Sequence, residues 1–258
     1  MLDIETLFGS KETSPCVRQV YGVSGSGKTY MLNRALKAAS KSKNFKRYHR
    51  FLIYDIKHEG YENLLNEKKK EYPVSDIEGV IKSLQKNRIT LVYPSIEDAD
   101  ELLEDSIKHV FDLAQNIDDF SCTFLLEESS SFIGAHPFSI PTQVKRFATQ
   151  GRSLGLSLLL VNQRALNNLW VETQSQGITL FRLSYADSLM LKRRWGLNHD
   201  EIDSMLRNKK FSFCHYDLES LKLSFYEPIT DHKTPIAAQK GVEAVTIPNT
   251  QEEKDIGK

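Results

Sequence analysis

The segment GVSGSGKT, Gly22 to Thr29, constrains this chain more than any other stretch. A glycine, four residues, then Gly-Lys-Thr is the phosphate-loop spacing. A short strand candidate, VRQVYG, leads into it, and a helical pattern from Tyr30 to Ser40 leaves it. Met31, Leu32, Ala35, Leu36 and Ala39 share one face of that helix. Each residue type has a chemical reason to be there. Gly22 opens the loop, and Gly25 and Gly27 let the backbone curl around Ser26 so that N–H groups point inward at phosphate oxygens. The helix that follows aims its positive end at the same charge. Lys28 can reach the terminal phosphates of a nucleotide, and the Thr29 hydroxyl can ligate Mg²⁺.

The rest of the chain alternates apolar runs with helical patterns. Strands are expected at Phe51–Asp55, Ile89–Pro94, Cys122–Leu126, Leu156–Gln163 and Gly177–Leu183. Helices are expected at Ile81–Lys86, Glu97–Gln115, Pro141–Arg152 and Ala186–Gly196. Lys209–Asp217 and Leu221–Glu227 read as a terminal hairpin. Such alternation argues for an α/β fold with a mainly parallel sheet, and near-continuous apolar strands such as LSLLLV fit a sheet covered on both faces. Residues 1–229 are read as one domain and residues 230–258 as a polar, flexible tail.

A phosphate loop needs an acid at the end of a neighbouring strand, and a hydrolase also needs a group that activates water. TFLLEE supplies two acids together. Glu127 is assigned to the magnesium side and Glu128 to the attacking water, with Asp55 a rival for the first role. The run LSLLLVNQR places Gln163 where ligands bind in open α/β sheets, within reach of a γ-phosphate or an attacking water. KRFATQGRSLG carries Arg152 and Arg146, in that order of preference, as candidates for an arginine that reaches into a neighbouring subunit's site.

Lys+Arg and Asp+Glu both total 34, so net charge announces no nucleic-acid binder, and any DNA contact must come from local patches. Candidates are Lys41–Arg50, Lys68–Lys70, Lys192–Arg194 and Arg207–Lys210. Cys16, Cys122 and Cys214 show no metal or disulfide spacing, and the histidines show no zinc spacing. With no signal peptide and no apolar run of membrane length, a cytoplasmic setting is expected.

With these pieces in order, the chain resembles the HerA/FtsK superfamily of ring-forming DNA-pumping ATPases. GVSGSGKT, FLIYDIKHEGY, TFLLEE, GRSLGLSLLLVNQ and GITLFRLSYADSLMLKRRWGL carry the resemblance, which spans about Val17 to Tyr226. The compact build is most similar to genome-packaging ATPases of membrane-containing double-jelly-roll phages and viruses. The resemblance implies a RecA-like P-loop NTPase, with ATP and Mg²⁺ bound at subunit interfaces of a hexameric or similar homo-oligomeric ring and double-stranded DNA in its pore. It further implies a capsid or portal-vertex partner, a viral membrane protein as another, and a place in the host cytoplasm or at the packaging vertex of the virion. The sequence departs from the usual pattern where Glu127 replaces the more common Asp. Two other classes stay open: a phosphate-loop kinase or small-molecule NTPase, and an ATP-binding assembly protein with little turnover.

Overall fold

The computed structural model describes residues 7–8, 15–58, 60–66, 71–136, 138–165, 168–208, 210–227 and 245–246. In chain order its elements are β1 (Val17–Tyr21), α1 (Lys28–Ala39), β2 (Tyr48–Asp55), α2 (Ile77–Lys86), β3 (Ile89–Val92), α3 (Ala99–Asn116), β4 (Phe120–Glu127) and α4 (Thr142–Gln150). They continue with β5 (Leu156–Asn162), α5 (Leu169–Gln174), β6 (Gly177–Leu180), α6 (Tyr185–Trp195), α7 (His199–Asn208), β7 (Phe213–Asp217), β8 (Lys222–Tyr226) and β9 (Val245–Thr246). Polar caps mark several starts. The Asp76 carboxylate accepts from Gly79 N–H at 2.7 Å ahead of α2, and Ser184 Oγ accepts from Asp187 N–H at 3.2 Å ahead of α6.

All described strands join one sheet in the order β3-β2-β4-β5-β1-β6-β7-β8-β9. The pairs from β3 to β6 are parallel, whereas β6-β7, β7-β8 and β8-β9 are antiparallel. The expected α/β architecture and the terminal hairpin are both present. The sheet has two covered faces, and the strand pleat sorts residues between them. Phe124, Leu126, Leu158 and Leu160 pack with Leu103, Ile107 and Val110 of α3 and with Phe147 of α4. Leu125, Leu159 and Val161 pack on the opposite face with Met31, Leu32 and Leu36 of α1. This two-sided burial is why β4 and β5 read as continuous apolar runs rather than alternating ones.

Two helices, α5 and α7, were not anticipated. The first is too short for a helical period to show, and the second anchors through Ile202, Leu206 and the partly buried Met205 on an otherwise polar segment. Strand β2 begins at Tyr48, earlier than the apolar run suggested, because the polar residues there are paired inside the sheet. The tail from residue 230 lies outside the described residues, apart from Val245 and Thr246, which pair with Leu223 and Lys222.

Two buried histidines give a test of how the sheet tolerates acid. His49 on β2 places Nδ1 2.8 Å from Ser121 Oγ and Nε2 3.1 Å from Thr123 Oγ1. His215 on β7 lies 3.0 Å from Thr179 Oγ1 and 3.3 Å from the Arg18 guanidinium. Burial first, and then nearby cations, hold both imidazoles down at a pKa of about 3. A folded-state pKa below the unfolded value means stability is fully present above about pH 6.5 and is lost as pH falls toward the folded value. The urea midpoint is therefore expected to drop between pH 7 and pH 4. The drop should be smaller in the His49→Gln/His215→Gln variant. An equal drop in that variant would place the acid sensitivity elsewhere.

Candidate nucleotide site

Parallel register builds the site. Tyr21 pairs with Asn162, Val161 with Glu127, and Glu127 with Asp55. The carboxyl ends of β1, β5, β4 and β2 therefore share one sheet edge, where open α/β sheets bind ligands. Strand β5 lies between the phosphate-loop strand and the acid strand. That order sets Gln163 between the loop and the acids.

The loop itself has the geometry of a phosphate cradle. Gly25 and Gly27 sit at φ 69° and 103°, a left-handed conformation that disfavours any Cβ. A Cβ at Gly22 would lie 2.6 Å from Phe181 Cβ, and one at Gly27 would lie 2.9 Å from the Phe211 ring. Ser26 Oγ is buried without a hydrogen-bond partner. Lys28 folds back over the loop, its ammonium donating to the Gly22 carbonyl at 2.6 Å and the Val23 carbonyl at 3.3 Å. Burial lowers its pKa, with the nearby Glu127 charge acting in the opposite direction.

A cavity of about 420 Å³ opens over the loop, with Thr29, Asp55, Lys57, Glu127, Gln163 and Phe211 among its walls. That volume lies within the ordinary range for a small-molecule site. The lone Ser26 hydroxyl, the cramped glycines and the inward-facing cation fit a polyphosphate. The Thr29 hydroxyl with the Asp55 and Glu127 carboxylates is a hard-oxygen set that suits Mg²⁺ shared with phosphates.

The two acids read from TFLLEE part company here. Glu127 is only 5% exposed and accepts from Tyr61 Oη at 2.8 Å. Burial pushes its pKa up to about 7, the Tyr61 hydrogen bond opposing and the Asp55 charge adding to the rise. Asp55 is fully buried beside it and accepts from Lys57 N–H at 3.0 Å. Both carboxylates face the cavity. Glu128 instead turns through φ 51°, which aims it away from its neighbour. Its carboxylate forms an ion pair with the Lys57 ammonium and accepts from Ser130 Oγ at 3.1 Å.

Four residues of the site have no role assigned to them from the sequence. Phe211 comes from a distant segment. Lys57 and Tyr61 lie within FLIYDIKHEGY, whose Asp-x-Lys marks a strand end without saying what the lysine or the tyrosine touches. Asn162, next to the expected Gln163, turns out to be a staple: it donates to Ser129 Oγ at 2.7 Å and accepts from Ser130 N–H at 2.7 Å. It thus fixes the turn that carries Glu128. Asn162→Ala is expected to cost about 2 kcal/mol in urea unfolding, since it strands buried partners. A loss well under 0.5 kcal/mol, the level of an ordinary surface change, would show that the turn holds itself.

The arginines separate as well. Arg152 is exposed in the short 3₁₀ turn Gly151–Leu154, ahead of β5. At the usual strand rise β5 is about 23 Å long, so Arg152 stands at the far end of the sheet from its own phosphate loop. Arg146 lies on α4 with its guanidinium 4.1 Å from the Phe111 ring centroid and its Nε donating to Gln150 at 3.2 Å. It is engaged within its own subunit. Of the basic clusters, Lys68–Lys70 lie outside the described residues. Several cations of the others are already paired, with Lys46 3.6 Å from Asp119 and Arg194 on Glu172.

A phosphate loop after β1, an acid pair at the end of β4 and an amide at the end of the intervening β5 define a P-loop NTPase fold. No protein-family model matches the chain, and no curated protein does. The fold is similar to that of B204, the DNA-packaging ATPase from Sulfolobus turreted icosahedral virus, with a TM-score of 0.63 and 17% identity over 84% of this chain and 100% of that one. The genome packaging NTPase B204 from Sulfolobus turreted icosahedral virus 2, in complex with AMPPCP, gives a TM-score of 0.60 at 16% identity, covering 83% of this chain and 98% of that one. VirB4 of Thermoanaerobacter pseudethanolicus gives a TM-score of 0.60 at 10% identity, covering 90% and 94%. At these identities the likeness is one of fold.

Proposed function

We propose that this chain is an ATPase of the HerA/FtsK type that works as a ring motor moving double-stranded DNA during viral genome packaging. One observation carries the reading. The phosphate loop, the Asp55–Glu127 pair and Gln163 converge on one cavity, while Arg152 stands at the opposite end of the sheet. Among the described residues no arginine lines that cavity, and such a site is suited to completion by a neighbour. The fold's close coverage of a compact packaging ATPase supports the same setting.

In this reading the loop N–H groups, Ser26 and Lys28 bind the phosphates of ATP. Lys28 exchanges its loop carbonyls for phosphate oxygens, a stronger charge-assisted pairing. Thr29 with Glu127 or Asp55 would hold Mg²⁺, which supplies charge neutralisation on the phosphates. Gln163 orients water and Glu128 takes its proton. Glu128 can do so only after Lys57 lets go, and an entering γ-phosphate competes for that ammonium. Ring closure places Arg152 of one subunit at the next subunit's site, and small basic patches repeated around the pore track DNA phosphates. Capsid or portal-vertex and viral membrane proteins would be the docking partners, in the host cytoplasm or at the virion's packaging vertex.

The test is ATPase rate with and without double-stranded DNA, on protein sized in solution. The expected result is a ring-sized assembly whose turnover rises with DNA. A monomer indifferent to DNA would sink the motor reading and favour a small-molecule NTPase; ATP-dependent assembly without phosphate release would favour a structural nucleotide binder. Lys28→Ala is expected to abolish nucleotide binding or turnover in the same assay, and undiminished activity would reject this site.

A further inference from the structure

Phe211 is the feature of the cavity that phosphate chemistry leaves unexplained. It lies in the turn between α7 and β7 at φ 66°, a conformation that a bulky aromatic residue adopts only under constraint. The side chain is 41% exposed, so core burial does not explain the strained backbone. It is nonetheless seated against the phosphate loop, close enough that a Cβ on Gly27 would meet its Cδ1 at 2.9 Å and its Cβ at 3.2 Å. Lys210 Nζ sits 4.9 Å from its ring centroid. A second exposed aromatic, Tyr30 at 46%, lines the same cavity directly after Thr29. Arg34 lies 5.4 Å from that ring. Two partly exposed aromatic rings, each with a cation beside it, therefore border a pocket whose floor is otherwise polar.

We propose that Phe211 is the nucleobase platform of this site, with Tyr30 as the second wall. This inference rests on the nucleotide reading above and adds a ligand subsite to it. The loop and the acids bind the triphosphate and the metal, and they offer nothing to a planar apolar ring. An aromatic face beside the loop supplies that surface, and stacking on it is tolerant of base identity. The strain at Phe211 has a use here, because it turns the ring onto the loop instead of into the core.

The experiment compares two ligands, ATP and inorganic tripolyphosphate, each with Mg²⁺, by calorimetric titration of wild type, Phe211→Ala and Phe211→Tyr. Tripolyphosphate keeps the charges and lacks the base. Phe211→Ala is expected to weaken ATP about tenfold and leave tripolyphosphate within twofold, and Phe211→Tyr to restore ATP. Equal weakening of both ligands in Phe211→Ala would mean the ring only shapes the loop, and the proposal fails. Unchanged ATP affinity, or an altered assembly size with affinity intact, also overturns it. Wild-type chain that binds neither ligand would sink the nucleotide reading itself, and this proposal with it.

Discussion

Glu128→Gln is expected to keep ATP binding and to lose about 100- to 10,000-fold in turnover, the usual worth of a general base. The amide preserves size and most of the hydrogen bonding, but it cannot accept the water's proton. Binding survives because Glu128 is held at the cavity's edge by Lys57 and Ser130, whereas the cavity walls come from Lys28, Asp55 and Glu127. Nucleotide affinity by titration and phosphate release by single turnover separate the two effects. Equal turnover in the variant would show that another group takes the proton. Glu127→Gln is the useful contrast. Its carboxylate is buried among Tyr61, Asp55 and Lys28, so its loss should fall on magnesium dependence as well as on rate.

Arg152→Ala should be the other severe loss, and its signature is where the loss falls. An arginine supplied in trans to a phosphoryl transfer contributes about 10³ to 10⁵ in rate. Arg152 is exposed and remote from its own loop, so the substitution should leave stability and ATP affinity near wild type. Mixed rings of Arg152→Ala and Lys28→Ala subunits give the decisive readout. Neither parent turns over, yet mixed rings recover activity wherever an intact loop faces an intact arginine. Mixtures as dead as both parents would remove the trans role. Arg146→Ala should behave differently, with a modest stability loss from the contact over Phe111 and little change in chemistry.

How much of this was legible in the chain follows from the range of each interaction. The phosphate loop is local: its glycines, lysine and threonine act within one turn and one helix start, so spacing alone identifies them. Strand and helix positions were likewise visible, because two-sided burial imposes apolar runs and helical periods. The boundaries moved where polar residues entered the sheet. His49 falls in the basic stretch Lys41–Arg50 in sequence and is in fact bonded to Ser121 and Thr123 on the neighbouring strand.

The acid pair marks the limit. TFLLEE shows two carboxylates at a strand end, and nothing in that string says which faces the loop. Backbone rotation at Glu128 and the burial of Glu127 against Tyr61 divide them, and both depend on segments far away in the chain. Lys57 and Asn162 act through partners in the turn that follows β4, and Phe211 meets Gly27 across most of the chain length. Chemistry carried by neighbours in sequence could be named from residue types alone. The choice among acids, arginines and aromatics waited for parallel register, because strand pairing and sheet order set which side chains share an edge, and no local pattern encodes that.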